Sequence, residues 1–119
     1  MLERLRQAVA ETSTDGVSVI ELTVTSLDAS NTDAFKDAVK PFVQGPNRIA
    51  LDMALLDFMD SSGLGSLVWM LREIQKNNGD IRLAAVTRPV QTLLEMVKMH
   101  RIFKIHANVP EALNAYSPT

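Results

Sequence analysis

Leu55-Leu56-Asp57-Phe58-Met59-Asp60-Ser61-Ser62-Gly63-Leu64-Gly65 takes the chain from an apolar, strand-like run through an acidic, serine-rich corner into a helical pattern. Upstream, residues 47–52 (Asn-Arg-Ile-Ala-Leu-Asp) read as a short strand; downstream, Leu64, Leu67, Val68, Leu71 and Ile74 recur at the spacing of one helix face. Arg72, Glu73, Gln75 and Lys76 fall on the opposite side, so this helix is expected to pack one face on a sheet. Asp and Ser oxygens accept from the N–H groups of a helix's first turn, which have no partner inside the helix. Asp60 or Ser61 is the expected cap.

That placement puts Ser62 in the first turn with a glycine after it and its hydroxyl uncrowded. A phosphate there would meet the positive end of the helix dipole and free N–H donors, worth about 0.3–1 kcal/mol at an exposed site. It would also add a charge of about −1.5 to −2. Asp57 and Asp60 are near in sequence, so the added charge would deepen an acidic spot, which is the chemistry of a switch that repels a partner. On residue chemistry alone, the same Asp-Ser-Ser is also what an ordinary helix cap requires.

Working outward, the 119 residues suit one domain over positions 1–119, able to bury about two thirds of its unfolded surface. A hydrophobic share of 46% with 22% charged residues is that of an ordinary globular domain. No cysteine is present, which excludes a disulfide framework and a thiolate metal site. Met1-Leu2-Glu3-Arg4-Leu5-Arg6-Gln7 places charges where a signal peptide needs an apolar core, and no apolar run nears membrane-spanning length. The expectation is a cytoplasmic protein with no membrane association. A net charge of −2 and a pI near 5.6 argue against a directly bound nucleic acid. Lys98, His100, Arg101, Lys104 and His106 read as a solvated basic face, with Ile102, Phe103 and Ile105 interleaved as buried strand positions.

The remaining elements follow from local signals. Asp15-Gly16 predicts a hairpin turn between a strand over residues 8–14 and a β-branched strand over residues 17–24. Asp28, Ser30 and Asn31 offer caps for a helix from Thr32 to Val43 with Ala34, Phe35, Ala38, Val39 and Phe42 inward, which Pro41 is expected to kink or end. A strand over residues 81–86, a helix opened by Thr87-Arg88-Pro89 with Val90, Leu93, Leu94 and Val97 buried, a strand over 102–105 and a last helix from Pro110 carrying Ala112, Leu113 and Tyr116 complete the reading. Strands alternating with helices after a hairpin imply an α/β fold with a parallel or mixed sheet and right-handed crossovers.

Catalytic chemistry finds little support. A nucleophilic serine needs a base, and the only histidines are His100 and His106; the serines lack Gly-x-Ser-x-Gly context. Gly63-Leu64-Gly65 is no dinucleotide fingerprint, because Val68 stands where the third glycine belongs. Asp28, Asp57 and Asp60 read as a solvated acidic rim; neither metal nor cofactor is expected, and the chain is not read as an enzyme. Met59, Met96 and Met99 read as core filler, Met59 becoming a pliable partner contact if it is exposed beside Asp60.

The run Phe58-Met59-Asp60-Ser61-Ser62-Gly63-Leu64-Gly65 resembles the phosphorylation motif of the anti-sigma factor antagonists, the small stand-alone members of the STAS domain family. Leu27-Asp28-Ala29, Ile49-Ala50-Leu51-Asp52, and Phe103-Lys104-Ile105 followed by Glu111-Ala112-Leu113 are similar to the same pattern, so the resemblance covers nearly the whole chain. It departs at Thr25, where many relatives have glycine, and at His100-Arg101, where many have a Thr-Gly-like turn.

The resemblance implies a STAS fold, a mixed sheet of about five strands with about four helices mainly on one face. It implies an anti-sigma factor antagonist in a partner-switching system. The unphosphorylated form would bind a serine-kinase anti-sigma factor of the histidine-kinase-like ATPase fold and release its target. Phosphorylation of Ser62 would break the complex, and a metal-dependent serine phosphatase would restore it. Ser62 is then the phosphoacceptor, and Asp28, Met59, Asp60, Ser61, Gly63, Leu64 and Gly65 form the partner surface, the two glycines admitting the kinase. Two other readings go with the family: an unswitched docking subunit of a lipid-transport ATPase or stressosome-like complex, and a phospho-switch with a non-sigma output. Transporter subunits more often carry alanine where Ser62 stands, which favours the switch.

Overall fold

The structure, a computed structural model, describes residues 9–14 and 16–116. Along the chain come β1 (Val9–Thr14), β2 (Val17–Leu22), β3 (Ser26–Leu27), α1 (Thr32–Val43), β4 (Arg48–Asp52) and β5 (Phe58–Met59). They are followed by α2 (Ser61–Lys76), β6 (Asp80–Ala84), α3 (Arg88–Met96), a 3-10 turn (Met99–Arg101), β7 (Lys104–His106) and α4 (Val109–Tyr116). A five-stranded sheet has the order β1-β2-β4-β6-β7. The β1–β2 hairpin is antiparallel, with Thr14 opposite Val17, and the other three pairings are parallel. Gly16 takes the left-handed φ of +79° that its turn requires, which glycine adopts without a Cβ clash; Asp15 and Ala8 of the expected hairpin lie outside the described residues.

β4 runs through the middle and is buried on both sides. Ile49 and Leu51 join the main core with Ile20, Leu22, Ile81 and Leu83, beneath α1, α2 and α3. Ala50 faces the other way, where with Val17 and Ala84 it leaves room for Ala112 of α4 to approach closely. Small residues under the lone helix and large ones under the other three thus decide which face carries the heavy cover. This is the mixed sheet with helices mainly on one face that the family resemblance implied.

Several boundaries differ from the sequence reading. α1 keeps its expected bounds, Thr32–Val43, and Pro41, on the exposed side near the C-terminus, does not end it early. β2 ends at Leu22 and β6 at Ala84, where Ala85 takes a positive φ of 56° and turns the chain. β7 starts at Lys104, because Lys98 adopts a left-handed φ of 62° and the 3-10 turn uses residues 99–101. As a result Val97 is exposed, Met96 is exposed instead of filling the core, and of the expected strand positions Ile102, Phe103 and Ile105 only Phe103 is buried. The sequence reading also missed a two-stranded parallel sheet of β3 and β5, which stands beside the main one and frames the site.

Candidate functional site

β3 and β5 pair in parallel with Ser26 opposite Phe58 and Leu27 opposite Met59. The alternation of a strand then sends Met59 inward, 4% exposed, and Phe58 outward. The loop before them is tied on both sides. The Asp57 N–H donates to the Thr25 carbonyl at 2.8 Å, and the Thr87 hydroxyl at the start of α3 donates to the Leu56 carbonyl. Thr25 therefore serves through its backbone, which any residue supplies, and its side chain is exposed.

Asp60 caps α2. Its Oδ1 accepts from the Gly63 N–H at 2.9 Å, and its carbonyl accepts from the Leu64 N–H at 3.0 Å. Its Oδ2 accepts from the Ala29 N–H at 3.2 Å, which joins the helix start to the loop leading into α1. Of the two caps expected, Asp60 is the one used, and Ser61 opens the helix at its first position. Ser62 follows in the first turn, exposed. Among the described residues nothing accepts from the backbone N–H of Ser61 or Ser62. These two donors lie at the positive end of the helix dipole, which favours negative charge nearby.

Gly63 is buried, and a Cβ there would lie 2.1 Å from the Leu27 carbonyl oxygen. It lets α2 cross β3 at backbone contact, a structural role that the sequence reading did not assign to it. Met59 is removed from the expected partner surface, since the strand pleat buries it. Gly65 is exposed with nothing within 4 Å of an added Cβ, and Leu64 is half-buried against the core. Exposed Phe58 and Leu55 lie in this region instead; the sequence reading passed over them because an apolar run of this length reads as buried throughout.

Asp28 sits in the adjoining loop. Its carboxylate accepts from the hydroxyls of Ser26 and Ser30 and from the Ser30 N–H, and these bonds hold it below the usual carboxylate range. Asn31 does not cap α1 with its side chain but locks this loop, accepting from the Asp28 N–H at 2.9 Å and donating to the Ser26 carbonyl at 2.7 Å. Asp28, Asp60, Ser61 and Ser62 thus belong to one rigid corner, with Asp57 exposed just before it. Both Asp60 oxygens are engaged by backbone donors, and no metal-holding group of His, Cys, Asp and Glu occurs among the described residues. His106 lies in β7 against Arg82 at 3.1 Å, on the α4 side of the sheet.

The family model of the STAS domain matches residues 8–112. A protein of Paenibacillus polymyxa named anti-sigma F factor antagonist is 37% identical over 65 residues, which are 55% of this chain and 56% of that protein's length. The chain thus aligns to little more than half of that curated relative. Among solved structures, an anti-sigma-factor antagonist (STAS) domain protein from Planctomyces limnophilus superposes with a TM-score of 0.82 at 20% identity, covering 92% of this chain and 97% of that one. The anti-sigma factor antagonist SpoIIAA in its unphosphorylated form gives a TM-score of 0.74 at 23% identity, covering 91% and 95%. The Bacillus SpoIIAA in its phosphorylated form gives 0.70 at 22% identity, covering 92% and 100%. At these identities the structural likeness is one of fold.

Proposed function

The chain belongs to the STAS domain family, and from that premise we propose that it is an anti-sigma factor antagonist whose binding is switched off by phosphorylation of Ser62. The observation that carries this reading is the exposed Ser62 hydroxyl at the start of α2, in a corner whose backbone is pinned by Asp60. A protein kinase needs an accessible hydroxyl, and this corner offers one. The curated relative from Paenibacillus polymyxa carries the name of such an antagonist.

In the unphosphorylated state Ser62 presents a small neutral hydroxyl, which a partner can cover with little desolvation, and Phe58 and Leu55 are exposed nearby in the chain. Phosphate brings about two negative charges to a corner already holding Asp28, Asp57 and Asp60. A partner closing over it must desolvate that charge or pair it, and an unpaired charge in an interface costs several kcal/mol. The proposed partner is a serine-kinase anti-sigma factor of the histidine-kinase-like ATPase fold, with a metal-dependent serine phosphatase resetting the switch. The chain itself acts as a binding module and not as an enzyme, in the cytoplasm. Among the described residues no helix is long and apolar enough to cross a membrane.

Peptide-resolved phosphorylation mass spectrometry of the protein isolated from its native host tests the reading, alongside a Ser62→Ala version. The expected result is phosphate on Ser62 in the first and none on the corresponding peptide of the second. Protein unmodified in growth, starvation and stress would point to an unswitched docking subunit.

A further inference from the structure

β4, β6 and β7 run in one direction and the helices between them return in the other, which gives the molecule two distinct ends. Where the strands finish, Leu55 and Phe58 are 48% and 55% exposed. Asp57 lies between them in sequence, and Asp28 and Asp60 lie in the same corner, outnumbering Arg88 at the start of α3. Where β7 begins, Met96, Val97 and Ile102 are 76%, 45% and 48% exposed. Lys98 and Arg101 are interspersed with them, and the left-handed turn at Lys98 sets the end of α3 against the 3-10 turn. No acidic residue occurs between positions 96 and 106. Among the described residues neither Lys98 nor Arg101 pairs with a carboxylate.

Helix dipoles account for part of this sorting, since acidic residues suit helix N-termini and basic residues C-termini. They do not account for five large apolar side chains left in water, grouped at the same two ends. The first group is bordered mainly by acidic side chains and the second mainly by basic ones, with Arg88 and Glu95, at the two ends of α3, the exceptions. Each end therefore complements the other in both respects.

We propose that the chain associates with itself head to tail, the acidic end of one copy (Leu55, Asp57, Phe58) seating on the basic end of the next (Met96, Lys98, Ile102). The two surfaces are different and lie at opposite ends, so the contact is heterologous and leaves one free patch at each end of any assembly that does not close into a ring. Its electrostatic part weakens as salt screens the charges. The proposal does not depend on Ser62 being a phosphoacceptor. It uses the same end of the molecule, so a partner docking at Ser62 competes with it.

Sedimentation velocity on the full chain, over a range of protein and salt concentrations, tests this with two variants. One carries Asp57→Lys and Phe58→Ser, the other Met96→Ser and Lys98→Glu; all four replaced side chains are exposed, so folding is retained. The wild type is expected to form species larger than one chain that grow with concentration and shrink with salt. Each variant alone is expected to be monomeric, and the two mixed to give a dimer of one copy of each, because together they hold one intact pair of patches. A wild type that stays monomeric throughout overturns the proposal, as does a dimer unaffected by either variant. Co-sedimentation of a monomeric wild type with anionic phospholipid vesicles, lost only in the Met96→Ser, Lys98→Glu variant, would assign the basic end to a membrane surface instead.

Discussion

The Asp60 carboxylate holds the Ala29 N–H at 3.2 Å across 31 positions of sequence, while its other oxygen caps α2 through Gly63 at 2.9 Å. One side chain therefore fixes both the start of the serine-bearing helix and its distance from the Asp28 loop. Asp60→Ala is expected to lower the unfolding free energy by about 1–2 kcal/mol, the range for a lost N-cap, when urea midpoints are compared. Ser61→Ala, which removes no hydrogen bond of the cap, should fall within about 0.5 kcal/mol of the wild type. Equal losses from the two would mean that Asp60 does not hold the corner.

Gly63 and Gly65 look alike in sequence and differ in structure. A methyl at Gly63 would meet the Leu27 carbonyl oxygen at 2.1 Å, a backbone atom that cannot move without separating β3 from α2. Gly63→Ala is expected to destabilise by about 1–3 kcal/mol or more. Gly65→Ala meets nothing within 4 Å and sits inside a helix, where alanine is favoured over glycine by about 1 kcal/mol. It should raise the thermal midpoint. Melting curves of the two variants read the contrast, and a stable Gly63→Ala protein would refute the close crossing.

What the sequence showed and what it hid divides at this corner. β2, β4 and the face of α2 were legible because several consecutive turns or alternations repeat the same signal, and Asp60 was legible because a cap is a local chemical requirement. Phe58 and Met59 were not, since a two-residue strand is too short to display alternation. The close crossing at Gly63 was not legible, because its neighbour, Leu27, lies 36 positions away and leaves no mark on the local sequence. Val97 and Ile102 were placed inside because the left-handed turn falls on Lys98, a residue type that gives no warning of it.

His106 makes stability fall on the acid side. Burial first, and then the neighbouring Arg82 guanidinium, hold its pKa below the usual 6.5, and the 3.1 Å contact requires a ring nitrogen free of a proton to accept from Arg82. The unfolded chain binds the proton more readily, so this contribution is fully present above pH 6.5 and is lost as pH falls through the lower folded value. Urea midpoints are expected to drop on going from neutral to mildly acidic buffer, and His106→Gln, which cannot titrate, should flatten that part of the profile.

Tyr116 gives the opposite limb. Its hydroxyl donates to the Ile49 carbonyl at 2.9 Å, and burial, with Asp80 adding to it, raises the phenol well above its ordinary 10.0. The folded protein keeps the proton that the unfolded chain releases, so the stability is present below pH 10.0 and declines as pH rises beyond it. Tyr116→Phe should cost about 0.5–1.5 kcal/mol near neutrality for the lost bond and show a shallower alkaline decline. The same slope in both proteins would place the alkaline titration elsewhere.

The proposed switch predicts a difference between two substitutions at one exposed position. Ser62 makes no side-chain hydrogen bond among the described residues, so neither Ser62→Ala nor Ser62→Glu should change the unfolding midpoint by more than about 0.5 kcal/mol. Their binding should diverge. Alanine adds no charge to the corner and cannot be phosphorylated, and its complex with the cognate kinase should persist in the presence of ATP. Glutamate adds a charge beside Asp57 and Asp60 that the interface must desolvate; with a penalty of several kcal/mol, affinity should fall by roughly a hundredfold or more. Calorimetric titration of the kinase with each variant reads the difference. Equal affinities would show that charge at Ser62 does not control binding, whatever mass spectrometry finds on the serine.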